Sequence, residues 1–352
     1  MKLVAQDGLW TTGGAPAEPP AVAVLEVTGA VLAWTVDDPA APVHLTFTDI
    51  GAADWLWRVV GESGHVALAA AVGDAVPEPS AVIDVPGVAL AVEVLAPLRR
   101  LALGHWLRRW WPASMRDSIV GLDAVVLDAE IATLTAAAQD FFVEDTFDSD
   151  VEELLRPHRA VLAGLGGSAD PRITELLQSC AELMDLPDPV DVPIPGRRDD
   201  YALAAGGAGT VAQASIAGGT ASISWGAVPP AVFDAAEDTV DWAVHVDGAG
   251  RVVLTVRAAV TAPADGIAVR FRSDGITADA VLAADGTATV ELPIAEPAAW
   301  NHDWRAASLT VGGPATEDRA ARDRIRAFAR GRLRDGAPDA FLAEVLAAES
   351  DY

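Results

Sequence analysis

Six histidines, one cysteine and one lysine set the limits of the chemistry available to this chain. The histidines are His44, His65, His105, His158, His245 and His302. No two fall at the spacing that puts a pair of imidazoles on one helix face, so the helical metalloprotease pattern is absent. Cys180 is alone, which removes an intrachain disulfide and a cysteine-based zinc site. It shares helical core spacing with Ile173, Leu176, Leu177, Leu183 and Met184, the setting of a buried, inert thiol. The most site-like histidine is His302, in Trp300-Asn301-His302-Asp303-Trp304. An Asp beside a His can orient an imidazole as a general base, so His302 and Asp303 are where a hydrolase would be sought. The same five residues also read as a loop with its tryptophans packed on a sheet.

Acidic residues crowd one stretch: Asp140, Glu144, Asp145, Asp148, Asp150, Glu152 and Glu153. A calcium loop needs alternating oxygen ligands and a glycine at the sharp turn. That glycine is missing, so the run reads as a solvated loop between helices. Gly206-Gly207-Ala208-Gly209-Thr210 lacks the lysine of a phosphate-binding loop, and Gly164-Leu165-Gly166-Gly167 follows a helix instead of a strand. No metal or cofactor is expected.

The most distinctive segment runs from Leu98 to Arg116. As a helix it puts Leu103, Trp106, Leu107 and Trp110 on one face, while Arg100, His105, Arg108 and Arg109 project elsewhere. Trp111-Pro112 ends it. Two readings stand. In one, this is a docking helix that presents Trp106, Arg108, Arg109, Trp110 and Trp111 to a partner. In the other, it is a core helix whose arginines pair with carboxylates of the chain, the acidic run being the nearest supply. A second Arg-rich helix lies near the C-terminus, with seven arginines between positions 319 and 334. Arg324 and Phe328 are its candidate contact residues.

The elements that must hold these residues divide the chain. Residues 1–90 read as mostly β: a hairpin of Ala21–Val27 and Ala30–Val36 about Thr28-Gly29, then Val43–Thr48, His65–Val72 and Ala81–Val85. Ala53–Val60 reads as a short helix. Four helices are expected at about 95–111, 119–142, 151–164 and 171–185, the last opened by Asp170-Pro171. Prolines 187, 189, 193 and 195 mark a linker over 187–199 after a first domain of 1–186. A strand-rich domain follows over 200–312, and 313–352 carries two helices and an acidic tail. Thr316 is the expected cap of the first of these helices, and Gly336 its stop.

Within 239–312, short alternating strands are punctuated by Asp247-Gly248, Asp265-Gly266, Asp274-Gly275 and Asp285-Gly286, pairs suited to tight hairpin turns. This stretch resembles a fibronectin- or immunoglobulin-like module. The resemblance implies an antiparallel β-sandwich and a binding or spacing role. The expected fold is therefore α+β in two domains: a mixed β and helical first domain, then a β-sandwich with two C-terminal helices.

Composition narrows the function. Acids outnumber bases 51 to 24, giving a net charge of −27 that repels nucleic acid and anionic membrane surfaces. Lys2 is the only lysine, a bias that a GC-rich genome explains without any role in anion recognition. Asp7 interrupts the N-terminal apolar run, and no uncharged stretch suits a membrane helix, so cytoplasmic residence is expected. Eleven tryptophans and missing enzyme motifs favour a non-catalytic adaptor or assembly subunit, with another protein or a second copy as partner. A hydrolase with dispersed catalytic residues and a small-ligand sensor are the alternatives.

Overall fold

The computed structural model describes residues 1–14, 16–73, 75–139, 141–142, 148–164, 170–183, 215–314 and 317–350. The expected linker, the start of the strand-rich domain, the Thr316 cap and Asp140, Glu144 and Asp145 of the acidic run lie outside these residues. The fold is α+β, and every strand pairing among the described residues is antiparallel. Two compact units are present, and neither is one continuous stretch of sequence. The first comprises Met1–Arg109, Leu122–Pro195 and Gly331–Tyr352; the second comprises Trp110–Gly121 and Gly196–Arg330.

The first unit opens with β1 (Lys2–Gln6), β2 (Leu9–Thr11), β3 (Val22–Val27), β4 (Ala30–Thr35) and β5 (His44–Phe47). With β6 (Val82–Asp84) they form a sheet of order β3-β4-β5-β2-β1-β6. The β3-β4 hairpin turns at Thr28-Gly29. Gly29 has φ +77°, and a Cβ there would lie 2.3 Å from the Asp49 carbonyl oxygen, so only glycine fits. Between β5 and β6 lie α1 (Trp57–Val60) and α2 (Glu62–Val72). The strand expected over His65–Val72 is thus a helix. Its Ala-rich sequence favours helix, and Gly64, Leu68 and Val72 recur on one buried face.

Helices follow: α3 (Ala96–Trp110), α4 (Ala124–Gln139), α5 (Asp148–Leu155), α6 (Arg159–Gly164) and α7 (Pro171–Leu183). The helix expected over 151–164 is broken by a 3-10 turn at Arg156–His158, where Pro157 removes a backbone donor. Asp170 caps α7 as expected, accepting from the Arg172 backbone N–H at 2.9 Å. Cys180 is buried in α7, and burial pushes its thiol up to about 11, which fits the inert role.

The second unit contains β7 (Ser215–Ala221), β8 (Val240–Val246), β9 (Val252–Ala258), β10 (Ala268–Ser273), β11 (Ile276–Val281), β12 (Thr287–Glu291), α8 (Glu296–Asn301) and β13 (Ser308–Val311). They make a four-stranded sheet, β12-β9-β8-β7, and a three-stranded sheet, β11-β10-β13. Trp242 of the first meets Phe271 of the second edge-on, ring centroids 5.3 Å apart. Gly219 makes room for that tryptophan: a Cβ there would lie 2.7 Å from the indole. Gly266, Gly275 and Gly286 take positive φ, but at the remaining turn Gly250 does so in place of Gly248.

The chain ends with α9 (Arg319–Asp335) and α10 (Leu342–Ser350). Asp318 accepts from the Ala321 backbone N–H at the start of α9, and Gly336 at φ +61° stops it.

Candidate functional site

The Trp- and Arg-rich helix is built from the inside. Trp106 is 2% exposed, and its indole N–H donates to the Pro20 carbonyl at 2.6 Å. It is a core residue with a satisfied polar atom, so it does not present itself to a partner as expected. Arg108 is exposed but lies 2.8 Å from Asp128 on α4, which also holds His158 Nε2 at 2.8 Å. The partner carboxylate is therefore Asp128, not the acidic run. Arg109 is half-buried.

Trp110 and Trp111 are half-buried in the second unit. The Trp111 indole donates to the Val120 carbonyl at 2.8 Å. Their segment is tied down by Met115 N–H on Asp234 at 3.1 Å and by Arg116 on the Glu237 carbonyl at 3.0 Å.

The terminal Arg-rich helix likewise turns arginines inward. Arg322 and Arg326, both buried, converge on Glu237, with Arg322 making bonds of 2.8 and 3.0 Å and Arg326 one of 2.9 Å. Burial alone would raise the Glu237 carboxyl; hydrogen bonds from Arg322, Ser222 and Arg326 outweigh it and bring the group down to about 2. Further along, Arg332 grips the buried Glu344 with two nitrogens and reaches Asp339 at 2.9 Å. Arg324 is exposed and Phe328 half-buried, so these two keep some surface.

His302 and Asp303 are not joined. The Asp303 carboxylate accepts from the Arg305 backbone N–H at 3.0 Å, capping a 3-10 turn. His302 instead pairs with Ser273 at 2.8 Å and packs edge-on against Trp304. The Ser–His separation suits a nucleophile and its base, but Ser273 is buried and no carboxylate among the described residues pairs with the ring. Trp300-Asn301 ends helix α8; the segment expected as a loop begins as helix. No cluster of three potential metal ligands occurs among the described residues. No helix among them is long and apolar enough to cross a membrane.

The surface best built for recognition lies elsewhere, at Trp57 on α1. Trp57 is 42% exposed, and the Arg58 guanidinium sits 5.0 Å from its ring centroid. Arg58 also lies 5.8 Å from Phe141, which joins buried Trp55 and Phe142 in an aromatic cluster with centroids 5.2 to 6.0 Å apart. Trp55 is itself anchored through its indole N–H to the Thr28 carbonyl at 2.8 Å. The exposed pair thus stands on a rigid base. The 3-10 turn Val92–Leu95 is held against α1 by Ala91 N–H on the Val59 carbonyl at 2.9 Å, and its Val92 and Val94 are exposed. Val66 on the adjoining α2 is exposed as well. The sequence signal was the run Asp54-Trp55-Leu56-Trp57-Arg58, in which one tryptophan of the pair must face away from the core.

No family model, no curated protein and no solved structure matches this chain.

Proposed function

We propose that the chain is a non-catalytic adaptor or assembly subunit that docks a basic partner protein, with Trp57 and Arg58 at the centre of the contact. The observation that carries this reading is an exposed Trp/Arg pair held on a buried aromatic cluster. Trp and Arg dominate binding energy at interfaces, and a preorganised pair loses little entropy on binding. A net charge of −27 selects a partner of opposite sign and disfavours a second copy of the chain. Arg324 and Phe328 on α9, with the exposed edges of Trp110 and Trp111, form a second contact region in the same reading. The two units act as two domains, and the facing sheets of the second serve as an immunoglobulin- or fibronectin-like spacer.

The test is affinity purification of the tagged chain from its native host, then reconstitution with the purified candidate. Trp57→Ala should weaken that partner at least about tenfold while the melting temperature stays unchanged. Equal affinity of the folded variant would remove Trp57 from the interface. Light scattering should give a monomer; a dimer that Trp57→Ala dissolves would replace the basic partner with a second copy.

A further inference from the structure

A second site stands apart from the Trp57 surface and does not depend on it. The ends of β1, β2, β4 and β5 enclose a hollow of about 400 Å³, within the range of small-molecule pockets. Its walls are mostly apolar, among them Pro42, Val43, Val88 and Leu90. Acids are more than twice as frequent as bases in this chain, yet no Asp or Glu lines the hollow. The side chains in it that carry ionisable groups are Lys2 and His44. Lys2, the single lysine of the sequence, makes no ion pair among the described residues. His44 is buried, beside the Gly13 backbone. Burial lowers its pKa, the Gly13 backbone opposing, so the ring is neutral near pH 7 and one of its nitrogens is an acceptor.

We infer that this hollow binds a small organic carboxylate with an apolar body. The Lys2 ammonium holds the carboxylate, the apolar walls hold the body, and the free His44 nitrogen accepts from a hydroxyl or amide on the ligand. The Met1 ammonium also lines the hollow but donates to the Val85 and Val88 carbonyls at 2.6 and 2.8 Å, which leaves the Lys2 ammonium for a monoanion. A phosphate dianion calls for several converging donors, as at a phosphate loop.

The single lysine makes the test selective. Full-length chain labelled at lysine gives one ε-ammonium signal, followed while benzoate and hexanoate are added, with benzamide and hexanamide as neutral controls. Saturable movement of the Lys2 signal by a carboxylate, at least about tenfold tighter than its amide, is the expected result. Lys2→Gln, an exposed substitution that leaves the core intact, should abolish the preference as read by calorimetry. The proposal fails if neither carboxylate moves the signal saturably, if acid and amide bind equally, or if Lys2→Gln binds the carboxylate as well as the parent.

Discussion

Trp106 and Trp57 are the same residue type with opposite tasks, and the difference is measurable. Trp106 fills core volume and has its indole N–H satisfied by Pro20, so Trp106→Ala leaves a large cavity and an orphaned carbonyl. A loss of about 3–5 kcal/mol is expected in urea or thermal unfolding. Trp57→Ala removes a half-exposed ring over solvent and should cost less than about 1 kcal/mol. Comparable losses would place both tryptophans in the core and withdraw Trp57 as a contact residue. Truncating Trp106 together with Trp110 therefore tests folding rather than binding. Helical periodicity placed Trp106, Leu103 and Leu107 on one face, and that face was legible in sequence. Which way the face turned was not, because an apolar stripe looks the same whether it meets its own chain or another. The decisive partner, Pro20, is 86 residues away.

The element whose behaviour departs furthest from its sequence is α9. Seven arginines read as a docking helix, yet Arg322, Arg326 and Arg332 are buried. The carboxylate shared by Arg322 and Arg326, Glu237, is 85 and 89 residues away, and such long-range pairing leaves no local pattern to read; Arg332 pairs nearer by, with Glu344 twelve residues on. Removing one member of such a pair strands a buried charge. Glu344→Gln should cost about 3–5 kcal/mol, measured by chemical unfolding; an effect under about 1 kcal/mol would mean that Asp339 suffices to neutralise Arg332.

Glu237 adds a pH dependence of definite sign. Its carboxyl lies near 2 in the folded chain against an ordinary 4.5, so the folded state binds its proton more weakly than the unfolded state does. The stabilisation is complete above about pH 4.5 and is lost as pH falls from there towards 2. Glu237→Gln should melt lower at neutral pH and show a shallower loss across that acid window. Parallel melting curves for parent and variant between those limits would remove Glu237 as the anchor of α9. By contrast, the strand pattern of the second unit was readable because alternation and Asp-Gly turns are local. The helix at His65–Val72 reads as a strand from sequence because a short apolar run carries no clear period.

At the scale of the whole molecule, the dominant property is net charge, −27. Acids exceed bases in sequence on both sides of the proline cluster, and three of the 24 basic residues, Arg322, Arg326 and Arg332, are buried in internal pairs. The summed field seen by an approaching protein is therefore negative, and it acts before any contact forms. Such a field raises the association rate of a basic partner by about 10 to 10³ at low salt. Raising salt to physiological strength shortens the Debye length to about 8 Å and removes most of that gain. Dissociation depends instead on the desolvated centre of the interface, where Trp57 sits in the proposed contact. The two quantities should separate in stopped-flow or surface-binding kinetics with the reconstituted partner. Salt should slow association steeply and leave dissociation nearly constant, whereas Trp57→Ala should speed dissociation and leave the salt slope of association unchanged. An association rate that ignores salt would mean the partner is not selected by charge. A Trp57→Ala effect confined to association would mean that the aromatic pair steers the encounter and does not hold the complex.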